Sequence, residues 1–297
     1  MHKERLPQLG VLLNVLLFGG KLYAGIRAES TAVISDALNS LLDVFSYSAI
    51  YVSVKLQEKA PDANHPFGHR RAEPLAGFII AVFAAILGAT LIKEAGFSFL
   101  KEQSRYMGFP AVQPNSVGTG YANPDSFALI VMGFSIITKF GIGSAYHIAW
   151  LRLHSLALRA SFVDSYNDAF ASLIAFAGLI LGGFWDNVAA LLIGGWILLS
   201  GVRVGLESIG YLMGKVPDDE MMEEIRQATM EIPGVTGFND LRAHFVGDRI
   251  HVEVHIEVDD TLPLRAAHDV SMGVRYRLQD FREIDRAFIH IDPITLK

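Results

Sequence analysis

Cysteine is absent from this sequence, which excludes disulfide bonds, thiolate metal sites and cysteine nucleophiles. Charged residues are also scarce. They make up 19% of the 297 residues, whereas an average soluble domain carries about a quarter. The net charge of −6 gives no reason to expect a nucleic-acid partner.

Hydrophobic residues account for 51% of the chain, and the mean hydropathy is +0.34. The long apolar runs lie between residues 9 and 206, and residues 215–297 are rich in Asp, Glu and Arg. A membrane-spanning helix needs roughly 20 mainly apolar residues. Six stretches meet that requirement: 9–28, 31–56, 74–100, 125–150, 161–183 and 186–207. We therefore predict a six-helix transmembrane domain over residues 1–208 and a water-exposed domain over residues 209–297.

The basic residues between these spans predict the orientation of the protein in the membrane. One side would carry Lys3, Arg5, Lys55, Lys59, Arg70, Arg71, Arg152 and Arg159. The other side would carry only Arg27, Lys101 and Arg105. We therefore expect both termini and the C-terminal domain in the cytoplasm. The protein itself is expected to be an integral protein of a bacterial inner membrane.

The C-terminal domain is predicted to contain a helix, two strands, a second helix and a third strand, in that order. Residues 217–220 begin the first helix with acidic side chains in its first turn. Apolar and polar residues alternate from Arg249 to Val258, a pattern typical of a half-buried strand. Together with strands at about 236–245 and 285–291, this segment predicts a small open sheet.

Two pairs of polar residues lie inside predicted spans. Asn39 with Asp43, and Asp164 with Asp168, are each spaced four residues apart, so both oxygens of a pair share one helix face. Ionisable groups within a bilayer are costly and generally functional. Four oxygen donors from two facing helices would form a site for a divalent metal ion. The alternative is interhelical hydrogen bonding around a shared proton, which accounts for one such pair more readily than for two.

Three further charges within spans are interpreted differently. Lys21 and Lys139 are single cations near small residues, which suggests snorkelling or pairing with a carboxylate of the bundle. Asp36 lies one turn before Asn39, near the outer end of the second span. It is either a helix-end residue or an outer relay for ions.

Histidines outside the membrane provide two weaker signals. Asp62, His65 and His69 lie within eight residues on a turn that contains Pro66 and Gly68, and could bind zinc or a similar ion. An equally open reading is a polar loop with two solvated histidines. In the C-terminal domain His255, His268, His290 and Asp292 are far apart in sequence, so only the fold could bring them together.

Several of these segments resemble motifs of the cation diffusion facilitator family, and the resemblance extends over nearly the whole chain. The matching segments are 35–43 (SDALNSLLD), 65–73 (HPFGHRRAE), 165–168 (SYND), 233–242 (PGVTGFNDLR) and 289–293 (IHIDP). The resemblance implies a homodimer that exports divalent metal ions in exchange for protons. It also implies a ferredoxin-like, metallochaperone-like cytoplasmic domain (αββαβ) that binds metal and tightens the dimer.

The resemblance also implies roles for individual residues. The transport site would be Asn39, Asp43, Asp164 and Asp168; the loop site Asp62, His65 and His69; and the cytoplasmic site His255, His268, His290 and Asp292. Zinc-type members usually carry a histidine at the position of Asp164, and the arrangement here resembles the manganese-exporting branch. Carboxylate and carbonyl oxygens suit manganese, whereas imidazole suits zinc. Manganese is therefore the first choice, followed by ferrous iron and then zinc.

Two positions depart from the family pattern. Asn239 stands where some zinc members carry a histidine, and Gly214 stands where many carry an aspartate that forms an interlocking salt bridge. The partner of that salt bridge here would be Arg71. Both the cytoplasmic metal site and the salt bridge are thereby put in question.

The overall expectation is a metal/proton antiporter and not an enzyme. One rival is a metal sensor or scaffold whose membrane part only anchors the cytoplasmic domain. A second rival is a membrane hydrolase that uses Asp62, His65 and His69, although the sequence contains no evident nucleophile or substrate pocket.

Overall fold

The computed structural model describes residues 5–57, 59–106, 125–153 and 156–294. Its elements are α1 (Arg5–Arg27), α2 (Thr31–Gln57), α3 (Ala72–Tyr106), α4 (Ser126–Leu153), α5 (Leu156–Leu181), α6 (Gly183–Leu212), α7 (Asp219–Met230), β1 (Gly237–Val246), β2 (Arg249–Val258), α8 (Leu264–Gln279) and β3 (Ile284–Pro293). They form two compact units. The membrane unit comprises Met1–Ala49 and Ile79–Gly205, and the domain unit comprises Ile50–Phe78 and Leu206–Lys297.

Each predicted span corresponds to one long helix. Within the described residues, α2, α3, α4 and α6 are long and apolar enough to cross a membrane. The helices α1 and α5 are not among these four; α1 contains Lys21, and α5 contains Asp164 and Asp168. The chain is thus a membrane protein with a helical membrane region, and the full number of six spans remains a prediction.

Small side chains form much of the core of the membrane unit. The buried residues include Ala24, Ala32, Ala128, Ala175 and Ala190. A Cβ atom built on Gly88 of α3 would come within 2.6 Å of the Leu198 backbone nitrogen of α6, so the two helix backbones touch at this glycine. Close approach through small residues is the usual way helices pack in a membrane, where apolar burial gives little driving force.

A carboxylate at the start of α6 fixes the N-terminus of α2. Asp186 Oδ2 accepts hydrogen bonds from the backbone N–H groups of Thr31, at 2.7 Å, and Ala32, at 3.3 Å. Asp186 Oδ1 accepts another from the Ser30 hydroxyl. The first N–H groups of a helix have no partner within the helix, so this contact stabilises the start of α2. It thereby positions the helix that carries Asn39 and Asp43.

The domain unit contains a three-stranded sheet with its own core. The strand order is β1-β2-β3; β1 pairs antiparallel with β2, and β2 pairs parallel with β3. The predicted order of helices and strands is the order observed. Val252 and Val254 of β2 are fully buried beneath α7 and α8, in one cluster with Ile225 and Leu278. The alternation seen in the sequence therefore marks the face of β2 that the helices cover.

Candidate metal centres

Polar side chains from three helices meet inside the membrane unit. Asn39 of α2 donates a hydrogen bond from Nδ2 to Asp168 Oδ1 of α5, at 3.1 Å. Lys139 of α4 donates from Nζ to Asp43 Oδ2 at 3.0 Å and to Asp168 Oδ2 at 2.6 Å. Three of the four residues of the predicted transport site are thus linked: the Lys139 ammonium group contacts Asp43 and Asp168, and Asn39 contacts Asp168.

Asp164, the fourth residue of that predicted site, lies one helical turn before Asp168 on α5, and its side chain is exposed. In the described part of the chain it makes no hydrogen bond or ion pair. The structure therefore places Asp164 on the same helix face as Asp168, and its role as a ligand remains a prediction.

The other buried lysine of this unit has a different environment. Lys21 lies 2.8 Å from Asp36 Oδ2 and donates hydrogen bonds of 3.0 Å to the hydroxyls of Ser40 and Ser172. The ammonium group of Lys21 thus has one carboxylate and two hydroxyls as partners. Lys21 therefore pairs with a carboxylate of the bundle and does not extend to the membrane surface. Asp36 is likewise buried, and it forms its ion pair with Lys21.

The loop between α2 and α3 brings together Asp62, His65 and His69, whose ligand atoms all lie within 4.8 Å of one another. Asp62 Oδ1 is 3.1 Å from His65 Nδ1, and Asp62 Oδ2 is 3.5 Å from His69 Nε2. Gly68 adopts a φ of 84°, which lets the chain turn between the two histidines. One carboxylate oxygen and two imidazole nitrogens form a ligand set that suits zinc or a similar ion.

Local hydrogen bonds hold the loop carboxylate in its charged form. The Lys59 side chain donates to Asp62 Oδ2 at 2.9 Å, and the His65 backbone N–H donates to Asp62 Oδ1 at 2.8 Å. These two contacts, that of Lys59 first, hold the pKa of Asp62 well below its ordinary value. The carboxylate is therefore ready to accept a cation, although Lys59 would have to share it.

The parallel pairing of β2 with β3 forms a second ligand group. His255 lies opposite His290 in the register, with 4.6 Å between the ring centroids. Asp292 Oδ2 is 3.5 Å from His255 Nδ1, and Asp292 Oδ1 is 3.2 Å from His290 Nε2. The ligand atoms of these three residues lie within 4.8 Å of one another.

Of two other residues considered for this group, one contacts it and the other lies outside it. Asn239, at the bulge of β1, donates to Asp292 Oδ2 at 3.0 Å, and this bond contributes most to holding the pKa of Asp292 below its ordinary value. Asn239 thus orients the carboxylate where some zinc members carry a histidine. His268 does not join the group within the described residues, and instead lines a pocket between α8 and β3 with Met272 and Phe288.

The sequence pattern did not indicate the burial of His251. The residue is 5% exposed, and Phe67 of the loop and Phe288 of β3 lie against its ring at centroid distances of 6.2 and 6.1 Å. Arg70 of the same loop pairs with Asp248, at 3.0 Å, and with Asp285, at 3.4 Å. The loop thus covers one end of β2 by an aromatic contact and an ion pair.

His251 should give the protein a pH-dependent stability. Burial lowers its pKa, and the nearby Asp285 carboxylate opposes that shift only in part. The neutral ring therefore contributes stability that is present above the unfolded-state pKa of about 6.5 and is lost as the pH falls below it. With metal removed by chelator, we expect the melting temperature to fall between pH 7.5 and 5.5, and His251→Phe to reduce that fall. His268→Phe, at an exposed position, should leave the slope unchanged; an unchanged slope in His251→Phe would contradict the assignment.

Comparisons with known proteins agree with the division into two parts. The family model described as the cation efflux transmembrane domain matches residues 8–213, and the model for the cytoplasmic domain of cation efflux proteins matches residues 217–294. An uncharacterised transporter of Methanocaldococcus jannaschii is 28% identical over 96% of both chains. The manganese efflux system protein MneS of Bacillus subtilis is 26% identical over 97% of this chain and 95% of its own.

Two further comparisons are with a plant relative and with a solved structure. Metal tolerance protein 2 of Oryza sativa subsp. japonica is 29% identical, over 98% of this chain and 78% of its own. Among solved structures, the MamM CTD in a cadmium form is 27% identical, covers 26% of this chain and 98% of its own, and has a TM-score of 0.25. Because the two family models together span nearly all of the sequence, the chain belongs to the cation efflux, or cation diffusion facilitator, family, whose members are membrane transporters and not enzymes.

Proposed function

We propose that this protein exports divalent metal ions from the cytoplasm in exchange for protons, with Asn39, Asp43, Asp164 and Asp168 as the transport site. The observation that carries the proposal is the meeting of Asn39 and Asp43 from α2 with Asp168 from α5 inside the membrane unit. Partly buried carboxylates in a membrane segment need a cation, and two of them on facing helices suit a divalent one.

In the proposed cycle the same carboxylates bind first the metal ion and then protons. Metal enters from the cytoplasm and binds the oxygens of α2 and α5. The bundle then rocks to open the site outward. Protons compete for the same oxygens, so protonation from the outer side would release the metal and reset the site.

Manganese is the proposed cargo. All four proposed ligands bind through oxygen, and the absence of imidazole removes the nitrogen ligand that zinc favours. The family relatives MneS and MneP of Bacillus subtilis are named as manganese efflux system proteins, which supports the same choice. Ferrous iron is the second candidate and zinc the third.

The remaining features of the proposal concern architecture. We propose six spans, both termini in the cytoplasm of a bacterial cell with the protein in the inner membrane, and a homodimer formed through a ferredoxin-like cytoplasmic domain. The second family model, that of the cation efflux cytoplasmic domain, supports dimerisation. The two ligand groups at Asp62 and at His255 are proposed as additional metal sites. His268 is also proposed as a ligand of the cytoplasmic metal site, although within the described residues it lies outside the group of His255, His290 and Asp292.

Flux in proteoliposomes tests the proposal directly. Purified protein should move Mn²⁺ across the vesicle membrane when a pH gradient is imposed, and flux should decrease in the order manganese, iron, zinc and magnesium. Each metal should also cause proton movement in the opposite direction. Metal binding without flux would contradict transport and favour the rival reading of a membrane-anchored sensor.

The cytoplasmic metal site predicts a metal-dependent stability. The fragment 209–297 contains its own core, so we expect it to fold alone. Added Mn²⁺ or Zn²⁺ should raise its melting temperature at pH 7.5, because a ligand that binds only the folded form stabilises it. The rise should shrink at pH 5.5, since protons compete for the imidazole ligands. The measurement is a thermal melt at two pH values with and without metal.

The control for this prediction separates the ligand group from the rest of the domain. Asp292→Asn removes the shared carboxylate but keeps its shape, and should abolish the metal-induced rise. Glu224→Gln, on the exposed side of α7, should keep it. No rise in the native fragment at neutral pH would leave the domain with a dimerisation role only.

A further inference from the structure

Lys139 lies where a metal ion held by Asp43 and Asp168 would have to lie. Its ammonium nitrogen is 3.0 Å from Asp43 Oδ2 and 2.6 Å from Asp168 Oδ2, on two different helices. Divalent ions of the magnesium type bind carboxylate oxygens at about 2 Å, so an ion shared by these two oxygens would take nearly the same place. The ammonium and a shared metal ion therefore exclude one another.

The rest of the site is arranged around this contact. Asp168 has both carboxylate oxygens occupied: Oδ1 accepts from Asn39 and Oδ2 from Lys139. Lys139 is 3% exposed, so its ammonium group is held among the helices and away from bulk water. A metal ion that binds Asp43 and Asp168 together must first displace the lysine.

The comparison with Lys21 shows that this arrangement is not general to buried lysines of the chain. Lys21 forms an ion pair with one carboxylate, that of Asp36, and donates hydrogen bonds to two serine hydroxyls. Asp36 is not a proposed metal ligand. Lys21 is therefore a structural ion pair, whereas Lys139 bridges two residues of the proposed transport site.

We propose that Lys139 is a tethered cation that occupies the empty transport site and that the transported metal displaces. The proposal rests on the proposed function, since it assumes that Asp43 and Asp168 bind the metal. Lys139 remains attached to α4 and returns to the carboxylates when the metal leaves. Because it competes for the same oxygens, Lys139 weakens metal binding and speeds metal release. It also compensates the charge of the two carboxylates in the membrane after the metal has left.

The test compares two substitutions with opposite expected effects. Lys139→Gln removes the competing charge, so the full-length protein in detergent should bind Mn²⁺ at least about tenfold more tightly, and maximal flux in proteoliposomes should fall because release is slower. Lys139→Arg keeps the charge and can hold two carboxylates with its planar fork, so it should bind Mn²⁺ more weakly than the native protein. Free Mn²⁺ in each titration is measured from its electron paramagnetic resonance signal.

Lys21→Gln is the matched control, because it removes a buried lysine whose carboxylate partner is not a proposed ligand. Its affinity for Mn²⁺ should stay at the native value. Unchanged or weaker Mn²⁺ binding in folded Lys139→Gln would overturn the proposal, as would equal tightening in Lys21→Gln. If Lys139→Gln does not fold, Lys139→Arg decides, since native or tighter binding in that variant also overturns it.

Failure of the proposed role of Lys139 is distinguishable from failure of the proposed transport site. If Asp43→Asn and Asp168→Asn both bind and transport Mn²⁺ like the native protein, the proposed function fails at this site. If both of these variants are inactive while Lys139→Gln binds Mn²⁺ with native affinity, only the role of the lysine fails.

Discussion

Replacing Asp168 with asparagine is expected to reduce manganese flux by about 30- to 150-fold, because losing a charged ligand costs roughly 2–3 kcal/mol and each 1.4 kcal/mol is a factor of ten. Asp168 contacts both Asn39 and Lys139, so it lies at the centre of the cluster. Asparagine has the same shape, so the helices should still pack. Asp43→Asn should have a similar effect, since it removes the other carboxylate that contacts Lys139. The measurement is Mn²⁺ uptake by proteoliposomes of matched protein content.

Two controls make this expectation decisive. Glu224→Gln also removes one carboxylate charge, but on the exposed side of α7, and should leave flux at the native level. Size-exclusion chromatography and thermal melting would show whether each variant remains folded. Native flux in folded Asp43→Asn and Asp168→Asn would show that metal passes elsewhere in the protein.

The elements of this protein could be predicted from sequence because their signals are local. Apolar runs of sufficient length predicted the long helices, and alternation over residues 249–258 predicted the strand that now forms the centre of the sheet. The spans predicted from α1 and α5 are not among the four helices that are long and apolar enough to cross a membrane within the described residues. Asp164 and Asp168 lower the mean hydropathy of α5, and in our proposal both are ligands of the transported metal.

The sequence predicted which site residues lie close together only where those residues are near one another in the sequence. Asp62, His65 and His69 lie in one short turn closed by hydrogen bonds between neighbours, so their spacing in sequence already indicated a cluster. His255 and His290 meet because β2 and β3 pair in a particular parallel register. Sequence spacing carries no information on that register, and for the same reason it could not show that His268 stays apart.

The pairing of Lys139 shows most clearly what sequence reasoning could not reach. A lysine within an apolar helix can extend to the membrane surface or pair with a carboxylate, and the choice depends on which helix faces it. In the structure α2 and α5 both present a carboxylate to α4. That packing turns an ambiguous cation into part of the proposed transport site.

Replacing Asp164 with histidine is expected to raise the ratio of zinc flux to manganese flux by about tenfold or more, because it adds a borderline-soft nitrogen to an all-oxygen ligand set. Asp164 is well placed for this change. It lies one turn before Asp168 on the same face of α5, and its exposed side chain leaves room for an imidazole ring.

Asp164→Asn is the matched control, because it removes the same charge without adding an imidazole nitrogen. We expect it to lower the flux of both metals and to leave their ratio close to the native value. The ratio is measured with Zn²⁺ and Mn²⁺ in vesicles of the same preparation under one imposed pH gradient. If Asp164→His keeps the native ratio while it still transports, this position does not set selectivity. The choice of metal would then lie with the remaining oxygen ligands, of which Asn39 is the one without charge and therefore the next position to exchange for histidine.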